Sequence, residues 1–263
     1  MAEDRQDRPR RTDVLGVPVD AVDMDGALTF ITACVRQMTR PGYIMAVNPE
    51  KVRVARRDPE LLACLRNATL LIPDGIGVVK AVRWLQGLRL ARVAGADLFE
   101  RLCQVSAAGS LRLFLYGATE EVNRGAVETL RARYPGIQIV GRANGYVADA
   151  EMADLVARIN AAAPDILFVG LGSPRQERWI SAHLPELQVR FCMGVGGTYD
   201  TVTGKVRRAP RWCQRLGVEW LYRLVRQPSR LLRQTSLPLF VCWVATAWLR
   251  QRSAGKRAGQ ATD

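Results

Sequence analysis

Apolar positions along this chain fall into two alternating rhythms. Short runs dominated by β-branched and other apolar residues have the length of strands: Val14 to Val19, Tyr43 to Val47, Thr69 to Ile72, Leu111 to Tyr116, Ile137 to Val140, Asp165 to Gly170 and Val189 to Met193. Between most of them lie longer segments with the three-to-four-residue apolar spacing of helices that cover a sheet. The clearest are Met24 to Met38, Glu120 to Tyr134, Ala150 to Ala162 and Gln176 to His183. This alternation predicts an α/β fold with a mainly parallel sheet covered on both faces, and ligands bound beyond the carboxyl ends of its strands.

The residues that break the apolar pattern gather at those ends. Asn48 follows one predicted strand, Asp74 another, Gly117 and Ala118 a third, and Gly141 to Tyr146 a fourth. Gly170 to Gln176 and Gly194 to Asp200 repeat the arrangement. Loops distributed in this way converge on one rim, as a binding site requires and a core does not.

After Gly204 the pattern changes. Trp212, Leu216, Trp220, Leu221, Leu224, Leu231 and Leu232 recur at helical spacing, with Arg211, Arg215, Arg223, Arg226, Arg230 and Arg233 between them. This predicts a basic amphipathic helical appendage. The apolar run Leu237 to Leu249 has 13 residues, fewer than the ~20 a spanning helix needs, so it is expected to dip into an interface without crossing a bilayer.

Charge sharpens the division. Of the formal net charge of +13, residues 205 to 257 carry +12, with 13 Lys and Arg against one acid, Glu219. Residues 1 to 204 carry only +2. A nearly neutral domain with a cationic segment suits an anionic partner: a membrane, a nucleic acid or a diphosphate. At 263 residues and 48% apolar the chain can bury a full core. Its six cysteines show no CxxC spacing, as in reduced core thiols. Met1 to Thr12 has no apolar run that could serve as a secretory signal and reads as a disordered lead-in.

Each rim motif has a chemical reading and a structural one. Asp74, where a strand gives way to a helix, could take a proton from an attacking hydroxyl or simply cap the helix. Asn48 before Pro49 could orient a sugar hydroxyl or phosphate, or start a helix. In Gly170 to Arg178, two glycines, Ser173 in the cap position and Pro174 in the first turn could direct free amides at an anion, with Arg175 or Gln176 nearby; otherwise the loop is a cap with Glu177 and Arg178 solvated. Gly194 to Asp200 offers another close backbone approach. Neither loop completes GxGxxG, which argues against a dinucleotide oxidoreductase. Asp23-Met24-Asp25 has the DxD form of some metal-dependent sugar transferases, but it opens a predicted helix and reads as a cap. His183 is the only histidine and falls near a helix end, so neither a histidine metal site nor a Cys–His nucleophile is expected.

Taken together, Val47 to Glu50, Pro73 to Gly77, Arg92 to Leu98, Gly170 to Glu177, Gly194 to Asp200, Gly204 to Pro210 and Gly217 to Arg223 resemble the WecG/TagA/CpsF family of glycosyltransferases, in order, from Val14 to about Gln234. The resemblance implies a Rossmann-like core over residues 13–204. The helical appendage at 205–250 would associate with membrane, between the lead-in at 1–12 and a disordered tail at 251–263. It further implies an inverting transfer, with no cofactor and no required metal, from a UDP-sugar donor to an undecaprenyl-diphosphate-linked sugar at the cytoplasmic face of the bacterial inner membrane. Asp74 matches the family's proposed base. Asn48, Arg92, Tyr146, Gln176 and Asp200 fall on positions associated with its substrate pocket, and Arg223, Arg230 and Arg233 on basic residues of its appendage. Donors in the family include N-acetylmannosamine, its uronic acid and glucose. One departure is visible: the family often has Thr two residues before the asparagine, where this chain has Ala46. The rival reading of the basic segment is a nucleic-acid-binding protein. Tryptophan and leucine interleaved with its arginines suit an interfacial helix better than a phosphate-tracking face, so an anionic membrane surface is the expected partner and nucleic acid is not.

Overall fold

The computed structural model describes residues 8–37, 40–210, 212–213, 219–226 and 236–260. The chain opens with an antiparallel hairpin, β1 (Arg11–Val14) and β2 (Val17–Asp20). The sequence pattern predicts a single strand from Val14 to Val19, and the structure corrects this. Leu15 and Gly16 both take positive φ, 56° and 89°, forming a two-residue hairpin turn, and the Gly16 amide donates to the Asp13 carboxylate at 2.8 Å. An apolar leucine in the turn leaves the hydrophobic run unbroken and hides the reversal. Asp20 then ties the hairpin to the sheet: fully buried, it pairs with the Arg11 guanidinium at 2.7 and 2.9 Å and accepts the Leu71 amide at 2.8 Å.

The central sheet comprises β3 (Gly42–Val47), β4 (Leu70–Pro73), β5 (Arg112–Gly117), β6 (Gln138–Ala143), β7 (Ile166–Gly170) and β8 (Phe191–Gly194). All neighbours are parallel, in the order β4-β3-β8-β7-β5-β6. Side chains leave the strands alternately. Met45, Val47, Leu71, Phe114, Tyr116, Leu167 and Val169 enter one core; Ile44, Leu70, Ile72, Leu113, Leu115, Ile166 and Phe168 enter the other. Helices α1 (Met24–Gln37), α5 (Gly95–Ala107), α6 (Glu120–Arg133) and α9 (Thr198–Val202) cover the second face. The first is covered by the hairpin with α2 (Pro49–Ala55), α3 (Pro59–Asn67), α4 (Ile76–Gln86), α7 (Met152–Ala162) and α8 (Arg175–His183). The result is the Rossmann-like α/β arrangement that the alternation predicts. Because the chain leaves β5 for α6 on one face and β7 for α8 on the other, the rim opens between adjacent strands.

The C-terminal segment contributes α10 (Glu219–Arg226) and α11 (Ser236–Gln260). The expectation that 237–249 dips into an interface meets a different use of part of that run: Phe240 and Val244 are 2% exposed and belong to the core under α2 and α4. Arg53 donates to the Ser236 hydroxyl at 2.7 Å, and the Arg56 guanidinium lies 4.5 Å from the Trp243 ring. Val241 and Leu249 stay exposed. Among the described residues no helix is long and apolar enough to cross a membrane. All six cysteines are free thiols, four of them buried.

Candidate active site

The rim is built from the residues that follow each strand. After β4, the Asp74 amide donates to the Val47 carbonyl at 2.9 Å, which fixes Asp74 against the end of β3. Gly75 holds the N-cap position of α4 with φ +111°, a conformation L side chains rarely adopt, and no side chain caps the helix. The capping reading of Asp74 therefore gives way, and its carboxylate faces the turn formed by residues 92–97. That turn is anchored by the Val93 amide, which donates to the Pro73 carbonyl at 3.0 Å. Arg92 Nη2 stands 4.0 Å from Asp74 Oδ1 and 2.8 Å from Glu219 Oε2. Its Nε is buried and has no hydrogen-bond partner among the described residues. Gly95 starts α5 beside the carboxylate: a Cβ there would stand 3.8 Å from Asp74 Oδ2 and 3.7 Å from the Ala46 methyl. Ala46 and Asp74 thus both face the start of α5.

The middle of the rim is held by a buried ion pair. Lys51 Nζ donates to Glu177 Oε1 at 2.7 Å, with the two side chains 6% and 0% exposed. Asn48 caps α2 by accepting the Lys51 amide at 2.8 Å, so its structural reading is realised and its carboxamide oxygen is engaged. Gln176 donates to Glu177 at 3.1 Å and accepts the Gly196 amide at 2.9 Å, buckling the β7 loop to the β8 loop. Its side chain lies across Gly194, where a Cβ would come within 2.6 Å of Gln176 Nε2, so a larger residue there would displace the amide. Burial raises the pKa of the Glu177 carboxyl, but the Lys51 ammonium and the hydrogen bonds from Lys51 and Gln176 outweigh it, and the net shift is downward.

The expected capping of α8 needs correction. Pro174, not Ser173, takes the N-cap position, no side chain caps the helix, and the Gln176 amide already donates to the Gly172 carbonyl at 2.9 Å. One amide expected to face an anion is therefore consumed by the turn. Asp200 sits half-buried in α9 beside Gly197, and its carbonyl accepts the Val206 amide at 2.9 Å. Tyr146 enters from the opposite edge of the sheet, 76% exposed, and its hydroxyl makes no hydrogen bond among the described residues. Its loop flanks an open cavity of about 320 Å³ lined by Glu120, Arg142, Asn144 and Arg158. Asp23 caps α1 through the Gly26 amide at 2.8 Å, and Asp25 is paired on the surface with Arg101, so the DxD sequence is indeed a helix start. His183 ends α8, its ring tilted against that of Trp179 with centroids 4.9 Å apart.

The structure thus brings Asp74 and Arg92 together, and links Gln176 to the loop that leads to Asp200. Arg223 lies on α10, one turn after Glu219; Arg230 and Arg233 lie outside the described residues. Three participants escape sequence reasoning. Lys51 and Glu177 look like solvated ends of helical turns, and Glu219 counts only as a charge, although its being the single acid among thirteen cations is a usable signal.

The sequence profile of the Glycosyl transferase WecG/TagA/CpsF family matches residues 12–254. The chain belongs to this family. It is therefore a glycosyltransferase, with its rim at the expected end of the sheet. Among its relatives, an N-acetylglucosaminyldiphosphoundecaprenol N-acetyl-beta-D-mannosaminyltransferase of Bacillus subtilis (strain 168) is 39% identical over 202 residues, 76% of this chain and 78% of the relative. Proteins of the same name from Staphylococcus aureus (strain MRSA252) and Bacillus spizizenii are each 34% identical, over 248 and 255 residues. These alignments cover 94% of this chain and 97% and 96% of the respective relatives.

Proposed function

We propose that this glycosyltransferase moves a sugar, with inversion, from a UDP-sugar to an undecaprenyl-diphosphate-linked acceptor at the cytoplasmic face of the membrane. The observation that carries the reading is the Asp74 carboxylate at the end of β4, unused as a helix cap and 4.0 Å from Arg92. Asp74 takes the proton of the acceptor hydroxyl as its oxygen bonds to the anomeric carbon. The bond from that carbon to the β-phosphate oxygen breaks on the opposite face, and UDP leaves with the electron pair. Arg92, whose buried Nε–H has no hydrogen-bond partner among the described residues, meets the charge that develops on the diphosphate. Asn48, Gln176 and Asp200 shape the rim on which the substrates lie, and Tyr146 reaches toward it from the opposite edge of the sheet. Arg223, Arg230 and Arg233 meet the lipid diphosphate from the appendage, where Trp212 and Trp220 are exposed to reach headgroups. The names of the relatives favour N-acetylmannosamine as the sugar and an N-acetylglucosaminyl lipid diphosphate as the acceptor.

The test is UDP release from a panel of UDP-sugars with a short-chain polyprenyl-diphosphate sugar, for wild type and Asp74→Ala, with and without EDTA. Release that requires the acceptor, survives EDTA and falls by about 10²-fold or more in the variant is expected, a general base contributing on that scale. Undiminished turnover by Asp74→Ala would remove Asp74 as base, and loss in EDTA would replace Arg92 with a metal.

A further inference from the structure

Glu219 is an anomaly in its own segment: the one carboxylate among the charges of residues 205–257, and only 9% exposed. A buried carboxylate needs a cation, and this one reaches 127 residues back along the chain to Arg92 at 2.8 Å. The same turn receives a second ion pair of opposite sense, from Arg208 to Asp97. Paired with reversed polarity, these contacts specify one way of docking the C-terminal segment, since an exchange of partners would set Arg208 against Arg92 and Glu219 against Asp97.

Arg92 is shared between two carboxylates on unequal terms. The 2.8 Å contact to Glu219 is a charge-assisted hydrogen bond, whereas the 4.0 Å approach to Asp74 lies beyond hydrogen-bonding distance. Among the described residues no third carboxylate lies within ion-pairing distance of Arg92. Without Glu219, a movement of about 1 Å would bring the guanidinium into hydrogen-bonding distance of the candidate base.

We infer that Glu219 is a positioning residue: it seats α10 on Arg92 and directs the guanidinium toward a diphosphate instead of into a salt bridge with Asp74. Docking of the C-terminal segment then sets the donor side of the site. This rests on the roles given to Asp74 and Arg92 above.

The experiment uses the full-length chain with Glu219→Gln, Glu219→Asp, Arg92→Ala and the Arg92→Ala/Glu219→Gln double variant, reading kcat, donor KM and hydrogen–deuterium exchange of residues 219–226. Glutamine keeps the size and removes the charge. It should lower kcat about tenfold, the scale of coupling between groups in direct contact, with donor KM changed less and the thermal midpoint held. Aspartate should restore part of the loss. In the Arg92→Ala background, Glu219→Gln should add nothing, and α10 should exchange faster in Glu219→Gln and in Arg92→Ala than in wild type. Wild-type kcat in Glu219→Gln, or losses that multiply in the double variant, would overturn the inference. Should the wild-type chain transfer no sugar, the functional reading fails by itself; exchange in Arg92→Ala still decides the docking contact, supported by lost protection and overturned by unchanged protection.

Discussion

Lys51 and Glu177 show what single residues contribute to this rim. At 2.7 Å and nearly excluded from water, each makes the other tolerable, and the loops bearing Asn48 and Gln176 hang on the pair. Replacing Lys51 with Met leaves a buried carboxylate without its cation, a change expected to cost about 3–5 kcal/mol in chemical denaturation. Its acid dependence has a definite sign. The folded pKa of Glu177 lies below its unfolded value, so its stabilisation is complete above about pH 4.5 and disappears as pH falls through the folded value. Thermal midpoints between pH 3 and 7 should therefore fall more steeply on acidification in wild type than in Glu177→Gln; parallel curves would show that the pair does not govern acid stability. Nothing local announces this pair in the sequence. A lysine and a glutamate in first helical turns normally face water, and only the placing of α2 and α8 on the same face of the sheet buries them. Asp74 and Arg92 were legible as candidates because they occupy motif positions at a strand's end and in a turn, but the 4.0 Å between them was not.

Elements were more legible than their partners. The strands and the long helices appear within a few residues of their predicted places because periods of two and of three to four report which sides are buried. Asn48-Pro49 signals the start of α2, and Asp58-Pro59 carries the same unread signal for α3. The hairpin was missed because Leu15 takes a turn conformation that its side chain does not advertise. The apolar run at 237–249 was ambiguous for a different reason: hydropathy records that a face avoids water without saying whether lipid or protein covers it. Here Phe240 and Val244 choose the protein. Phe240→Ala is expected to remove up to about 3–5 kcal/mol of packing and to raise exchange throughout α11; protection as in wild type would mean that Arg53, Ser236 and the remaining contacts hold the helix unaided.

At the scale of the molecule, charge and topology are separate organising features. The +12 carried by residues 205–257, with exposed Trp212, Trp220, Val241 and Leu249, favours an anionic membrane surface. Cosedimentation with vesicles containing anionic lipid should exceed that with neutral vesicles and weaken with salt, whereas a gel shift of duplex DNA at physiological salt should be absent; the reverse would favour the nucleic-acid reading. The strand order could not be read from any pattern, since periodicity says that a strand is covered and not which strand lies beside it. That order makes β8, the last strand in the chain, the bridge between β3 and β7. A ribosome delivering this protein therefore releases two half-sheets, β4-β3 and β7-β5-β6, each with an open row of backbone donors and acceptors. Until Phe191–Gly194 emerges, the nascent chain has all the flanking strands of its catalytic rim but cannot join them, and those unpaired edges are its most aggregation-prone surfaces during synthesis.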